Sequence, residues 1–163
     1  MEPIRAGVPE FSACVQDLLA DAQVQQMHQI PQHVRGVDCY DHCLFVSWMA
    51  YHLCLRLGWD ARAAARAGML HDFYLCRWED TDVGLWERLV IHPRMALENA
   101  RRFGLSPNEE GIILTHMWPL NWQEPPRSRE AVAVNLADKL STFLEVTHLY
   151  RLVALHRRTA VTV

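Results

Sequence analysis

Asp138 lies in the run Ala131-Val132-Ala133-Val134-Asn135-Leu136-Ala137-Asp138-Lys139-Leu140, where nearly every neighbour is apolar and helix-compatible. An ionised carboxylate in such surroundings needs a strong partner, and a divalent metal is one. Upstream, the adjacent pair His71-Asp72 ends an Ala-rich apolar segment, and single histidines interrupt apolar stretches at His42, His92 and His116. In chain order these residues read His, His-Asp, His, His, Asp. Four imidazoles and two carboxylates suffice to hold two divalent cations side by side, and such donors suit Fe, Mn, Co, Ni or Zn better than an oxygen-seeking ion such as Ca²⁺. Taken singly, each has a plainer reading. A lone histidine on an apolar helix face can be a hydrogen-bonded core residue, and His92 before a proline can be a cap-like surface residue.

The elements that must position these side chains read as helices. Apolar residues at Phe11, Cys14, Val15, Leu18, Leu19 and Ala22 recur at three- and four-residue spacing, which predicts a helix from Phe11 to about Met27. A second helix is expected from about Asp41 to Leu57, stopped by Gly58, with Asp60 as N-cap of the Ala-rich helix that leads to His71-Asp72. Residues 74–91 carry mixed charge and give no clear period. Pro93 fits the first position of the next helix, which would leave His92 just outside it. Ser106-Pro107-Asn108-Glu109 reads as a capping box opening a helix that ends near His116. Pro119, Pro125 and Pro126 make the following segment a loop, and a last helix runs from near Ser128 through Asp138 toward Tyr150. The expected fold is a single all-α domain of six or seven helices. Its divisions would be an N-terminal helical segment over 1–32, the main domain over 33–150 and a tail over 151–163.

With 163 residues, half of them hydrophobic and 21% charged, the chain has the composition of an ordinary globular protein. A net charge of −3 argues against a surface built for a nucleic-acid polymer. The five cysteines contain no Cys-x-x-Cys, so neither a disulfide framework nor a thiolate zinc site is indicated. The N-terminus lacks a basic segment followed by an apolar one, and no apolar run approaches the roughly 20 residues of a membrane span. A soluble, cytoplasmic protein with no membrane partner is expected.

The segments Tyr40-Asp41-His42-Cys43, Leu70-His71-Asp72 and Ala137-Asp138-Lys139 resemble the motifs of the HD-domain superfamily of metal-dependent phosphohydrolases, named for the His-Asp pair. The resemblance extends from about His33 to Glu145. It includes His92-Pro93 and His116, which look like the extra histidines of the two-metal branches, and the stretches from His92 to Ala100 and from His116 to Pro119 look like a bacterial subgroup with no settled substrate. The chain lacks the Gly-Tyr-Pro loop and paired histidines of cyclic-di-GMP phosphodiesterases, since Met117 follows His116.

The resemblance implies a helical fold around a buried metal centre in which Asp72 bridges two ions. His42, His71 and Asp138 would complete one position, and His92 and His116 the other. Two cations at roughly 3.5–4 Å lower the pKa of a shared water and neutralise phosphate oxygens. The implied activity is hydrolysis of a phosphate ester or anhydride in a small molecule, a nucleotide by preference, with Asp72 and Lys139 as catalytic residues. HD-type di-iron oxygenases acting on polyols or phosphonates share the same ligand set, and a metal-binding signalling module without turnover would use it too. Arg77 and Arg94 follow ligands closely and could grip a phosphate, or form exposed ion pairs instead. His33 and Arg35 could line the pocket mouth, and Trp118 or Trp78 could stack on a base or simply pack. The sequence does not give the oligomeric state.

Overall fold

Helix α4 (Ala61–Leu70) is the axis of the molecule, because every residue in it except Arg62 and Arg66 is small or apolar, and all but Arg62 are buried. A helix apolar all round belongs in the interior, and the alanines let its neighbours come close. The computed structural model describes residues 9–32, 34 and 36–149, and among these it is all-helical, with seven α-helices and no strand beyond an isolated bridge between Pro31 and Asp38.

Helix α1 (Phe11–Leu19) lies on α4, burying Phe11, Cys14, Val15 and Leu18. The expected continuation to Met27 does not occur. Asp21 caps a new short helix α2 (Ala22–Gln25) by accepting from the backbone N–H of Gln23 and Val24 at 2.9 and 3.2 Å. An aspartate that bonds local backbone competes with helix continuation. Ala22 consequently faces outward, and Val24, Met27 and Ile30 take the buried positions.

Helix α3 (Cys39–Leu57) is the main partner of α4. It is capped by Asp38, whose carboxylate accepts from the N–H of Asp41, and it ends at Gly58 in the left-handed conformation, with φ 72°. The two helices touch at Gly68, where a Cβ would sit 2.8 Å from the Cα of Ser47. Beside that contact the Ser47 hydroxyl donates to the carbonyl of Ala65 at 2.6 Å.

Helix α5 (Leu85–Ala100) corrects the expectation for Pro93. The proline lies inside the helix, and so does His92, which is buried. A mid-helix proline costs about 3 kcal/mol in isolation. Here the buried face formed by His92, Pro93, Ala96, Leu97 and Ala100 runs straight through it, and packing decides the element.

Helix α6 (Pro107–Thr115) opens with the expected capping box of Ser106 and Glu109, and α7 (Arg129–Val146) opens on Ser128. Glu109 has a second task. Its carboxylate lies 3.2 Å from Nε of buried Arg66, whose Nη1 donates to the Cys14 carbonyl at 3.1 Å and to Asp17 at 2.6 Å. One guanidinium thus ties α1, α4 and α6 together. No helix among the described residues is long and apolar enough to cross a membrane.

Candidate metal centre

Two of the four histidines stand at helix C-termini, where backbone carbonyls lack intrahelical partners. His71 caps α4 and offers its Nδ1 to the carbonyl of Gly68 at 2.8 Å; His116 caps α6 and does the same to Ile113 at 2.7 Å. In the middle of α5, His92 Nδ1 lies 2.7 Å from the carbonyl of Arg88. Near the start of α3, His42 Nδ1 lies 2.8 Å from the Glu145 carboxylate instead. Each Nδ1 is thus engaged outside the centre and each Nε2 turns toward it, the arrangement by which outer hydrogen bonds orient metal-ligating histidines.

The Nε2 atoms converge on two carboxylates. Asp138 Oδ1 lies 3.2 Å from His42 and 3.7 Å from His71. Asp72 faces both sides, with Oδ2 3.7 Å from His71 and Oδ1 3.4 and 3.5 Å from His92 and His116. Two groups, His42-His71-Asp138 and His71-Asp72-His116, have the mutual distances that a metal ion requires. The donors also fit a metal on chemical grounds. Nε2 of His71 and Oδ1 of Asp72 are buried without a hydrogen-bond partner, an arrangement costly for polar atoms unless a cation satisfies them.

Charge points the same way. Burial opposes ionisation of Asp138, yet bonding to His42 and His71 holds its carboxyl well below the usual range; Asp72 is held low against burial by His71, His116 and His92. Burial likewise opposes charge on His42, but Asp138 and Glu145 raise its pKa well above the ordinary value. His92 goes the other way, and burial brings it down to about 4. Several buried anions thus call for positive charge at their meeting point.

The centre opens on one side into a cavity of about 400 Å³. Asp72, His92, His116, Asp138 and Lys139 line its inner part; Tyr74, Trp78, Leu85, Leu89 and Leu120 make apolar walls, with Arg88 among them. Lys139 Nζ donates to the His116 carbonyl at 2.9 Å and lies 3.6 Å from Asp138. The six expected ligands and Lys139 therefore come together. Arg77, Arg94 and Trp118 lie outside the cavity lining: the two arginines are exposed and paired with Glu79 and Glu124, and Trp118 is exposed. His33 and Arg35 fall outside the described residues.

Sequence reasoning missed Gln32, Arg88, Ser141 and Glu145. Gln32 Nε2 donates to Asp72 Oδ2 at 2.7 Å from an irregular loop, and no local pattern announces it. Glu145 did leave a signal, being an acidic residue two helical turns beyond Asp138 on the same face.

A family model for the HD domain matches residues 39–142. Ribonuclease Y of Thermotoga maritima is 30% identical over 106 residues, which cover 65% of this chain and 19% of that protein. Ribonuclease Y of Geobacter sulfurreducens is 34% identical over 104 residues, covering 64% of this chain and 18% of the relative. The chain thus corresponds to about a fifth of these relatives. No solved structure matches it. The matched stretch carries His42, His71-Asp72, His92, His116 and Asp138 in the order that the converging side chains require, and the chain belongs to the HD-domain family of metal-dependent phosphohydrolases.

Proposed function

We propose that this chain hydrolyses a phosphate ester or anhydride of a small molecule, a nucleotide by preference, with two divalent cations held by His42, His71, Asp72, His92, His116 and Asp138. The observation that carries the reading is the convergence of four Nε2 atoms and two carboxylates at the inner end of an open cavity. Bound metal of this kind supplies Lewis acidity, lowering the pKa of water and neutralising phosphate oxygens.

The chain's own residues do the rest. Asp72, held by the Gln32 amide, keeps its two oxygens apart and directed to opposite sides of the centre. Lys139 is anchored on the His116 carbonyl at the cavity surface, where its ammonium group offsets negative charge on the departing phosphate. Tyr74 and Trp78 offer aromatic faces to a base, and the leucines beside them exclude water from the reacting phosphate.

The similarity to ribonuclease Y favours a second reading, in which the phosphate belongs to an RNA strand. One assay separates these readings. Metal-free protein is loaded with Mn²⁺ or Co²⁺ under anaerobic conditions and offered nucleotides, phosphate monoesters and short oligoribonucleotides. Phosphate release from the small substrates that disappears in His71→Ala supports the proposal, whereas cleavage confined to the oligomers favours the RNA reading. No hydrolysis with any metal, together with substrate-dependent O₂ uptake by the iron-loaded protein, would replace both with an oxygenase.

A further inference from the structure

Three of the four histidines rest their Nδ1 atoms on neutral backbone carbonyls of their own helices, but His42 does not. Its Nδ1 meets the Oε1 atom of Glu145 at 2.8 Å, across from α3 to the far end of α7. The Ser141 hydroxyl, one turn earlier on α7, donates to the same oxygen at 2.9 Å and lies 3.3 Å from the same ring nitrogen. Glu145 and Ser141 are almost completely buried, as is His42. Taking a carboxylate out of water at that position is expensive unless it is paired and hydrogen-bonded, as Glu145 is by His42 and Ser141. Glu145 also lies beyond the stretch matched by the family model.

We infer that Glu145, steadied by Ser141, is a positioning residue for the metal centre, fixing the tautomer and orientation of His42 and strengthening it as a ligand. This rests on the reading of His42 as a metal ligand. A carboxylate accepting the Nδ1 proton makes the opposite nitrogen a better donor than a neutral carbonyl does, and loss of such a partner typically weakens metal binding about 10- to 100-fold. The position of His42, His71 and Asp138 thereby differs from the His92 and His116 side, where both Nδ1 atoms rest on backbone carbonyls.

The test is a Co²⁺ titration of the metal-stripped full chain, followed by visible absorption and by competition with a chelator. Glu145→Gln keeps a hydrogen-bond acceptor but removes the charge, so Co²⁺ affinity should fall about 10-fold, and Glu145→Ala should fall further, toward 100-fold. In a His42→Ala background Glu145→Gln should make no further difference, since its effect runs through that ring. Nitrogen chemical shifts of His42 in the Zn²⁺-loaded protein should show a protonated Nδ1 opposite a metal-bound Nε2, and the Nδ1 resonance should move in Glu145→Ala. If that variant does not fold, the Gln variant in the two backgrounds decides. Equal Co²⁺ affinity in wild type and Glu145→Gln, or the same loss with and without His42, would overturn the inference while leaving the metal centre standing. Wild-type protein that binds no Co²⁺ would overturn the metal centre itself, and the inference with it.

Discussion

The Nε2 atoms of His92 and His116 lie 2.9 Å apart while the Nδ1 atom of each ring is engaged by a backbone carbonyl. Two ring nitrogens so placed need a proton or a cation between them, and Asp72 Oδ1 lies 3.4 Å from one ring and 3.5 Å from the other, where a cation would meet all three. Metal-replete protein should therefore contain about two divalent ions per chain, falling to about one in His92→Ala. Elemental analysis checks it, and an unchanged content in His92→Ala would take His92 out of the second position.

Asp72 and Lys139 should separate under mutation. Asp72→Ala removes a carboxylate that faces both sides of the centre, so turnover and most of the bound metal should go together. Lys139→Ala leaves all six expected ligands in place, and should lose rate by about 10- to 1,000-fold while keeping its metal. Equal metal loss in the two variants would mean that the lysine's bond to the His116 carbonyl is structural.

Arg66 and Glu109 form a pair whose side chains are 5% and 3% exposed. Arg66→Ala strands the Glu109 carboxylate in the interior and should cost about 3–5 kcal/mol in urea unfolding. Asp17→Ala, which removes a partner that is mostly exposed, should cost well under that.

The thiols should be sharply unequal. Cys14, Cys39, Cys43 and Cys54 are buried and Cys76 is not, so a thiol reagent at about pH 8 should modify one cysteine in the native protein and five after unfolding. Burial pushes Cys54 from 9.0 up to about 12. Above the lower value the unfolded chain gives up this proton and the folded chain does not, so Cys54 should make stability fall as pH rises from about 9 toward 12. A Cys54→Ala variant should flatten that decline, as followed by unfolding at several pH values.

Gly68→Ala should loosen the α3–α4 seam, because its Cβ would press on the backbone of Ser47 rather than on a side chain that can turn away. A loss of about 1–3 kcal/mol is expected. Since the Gly68 carbonyl also holds His71, the variant should bind metal more weakly than its stability alone explains.

The helices and their ends were legible wherever local chemistry decides them. Gly58, Asp60, Ser106 with Glu109, and Ser128 all act as their sequence contexts suggest. Pro93 was misread because helix-start statistics describe an isolated segment, whereas an apolar face on both sides of the proline carries α5 through it. Asp21 was overlooked because the apolar period of α1 hid a cap. In the site, polar residues interrupting apolar runs stood out, and so did a named dipeptide. Gln32 did not, since a loop amide acquires its partner only through tertiary contact; Arg88 reads as a surface arginine, and Glu145 shows only by its seven-residue spacing from Asp138.

His42 and Asp138 are 96 residues apart, and the remaining donors come from the ends of α4 and α6 and from the middle of α5. The position made by His42, His71 and Asp138 has no partial version. A nascent chain in which α3 and α4 have already paired still lacks the acid that α7 brings, so an ion at that position has little to grip until the last helix closes. Metal would then act as a latch rather than a template: it should leave the folding rate nearly unchanged and slow unfolding, by binding a state that exists only once every crossing has been made.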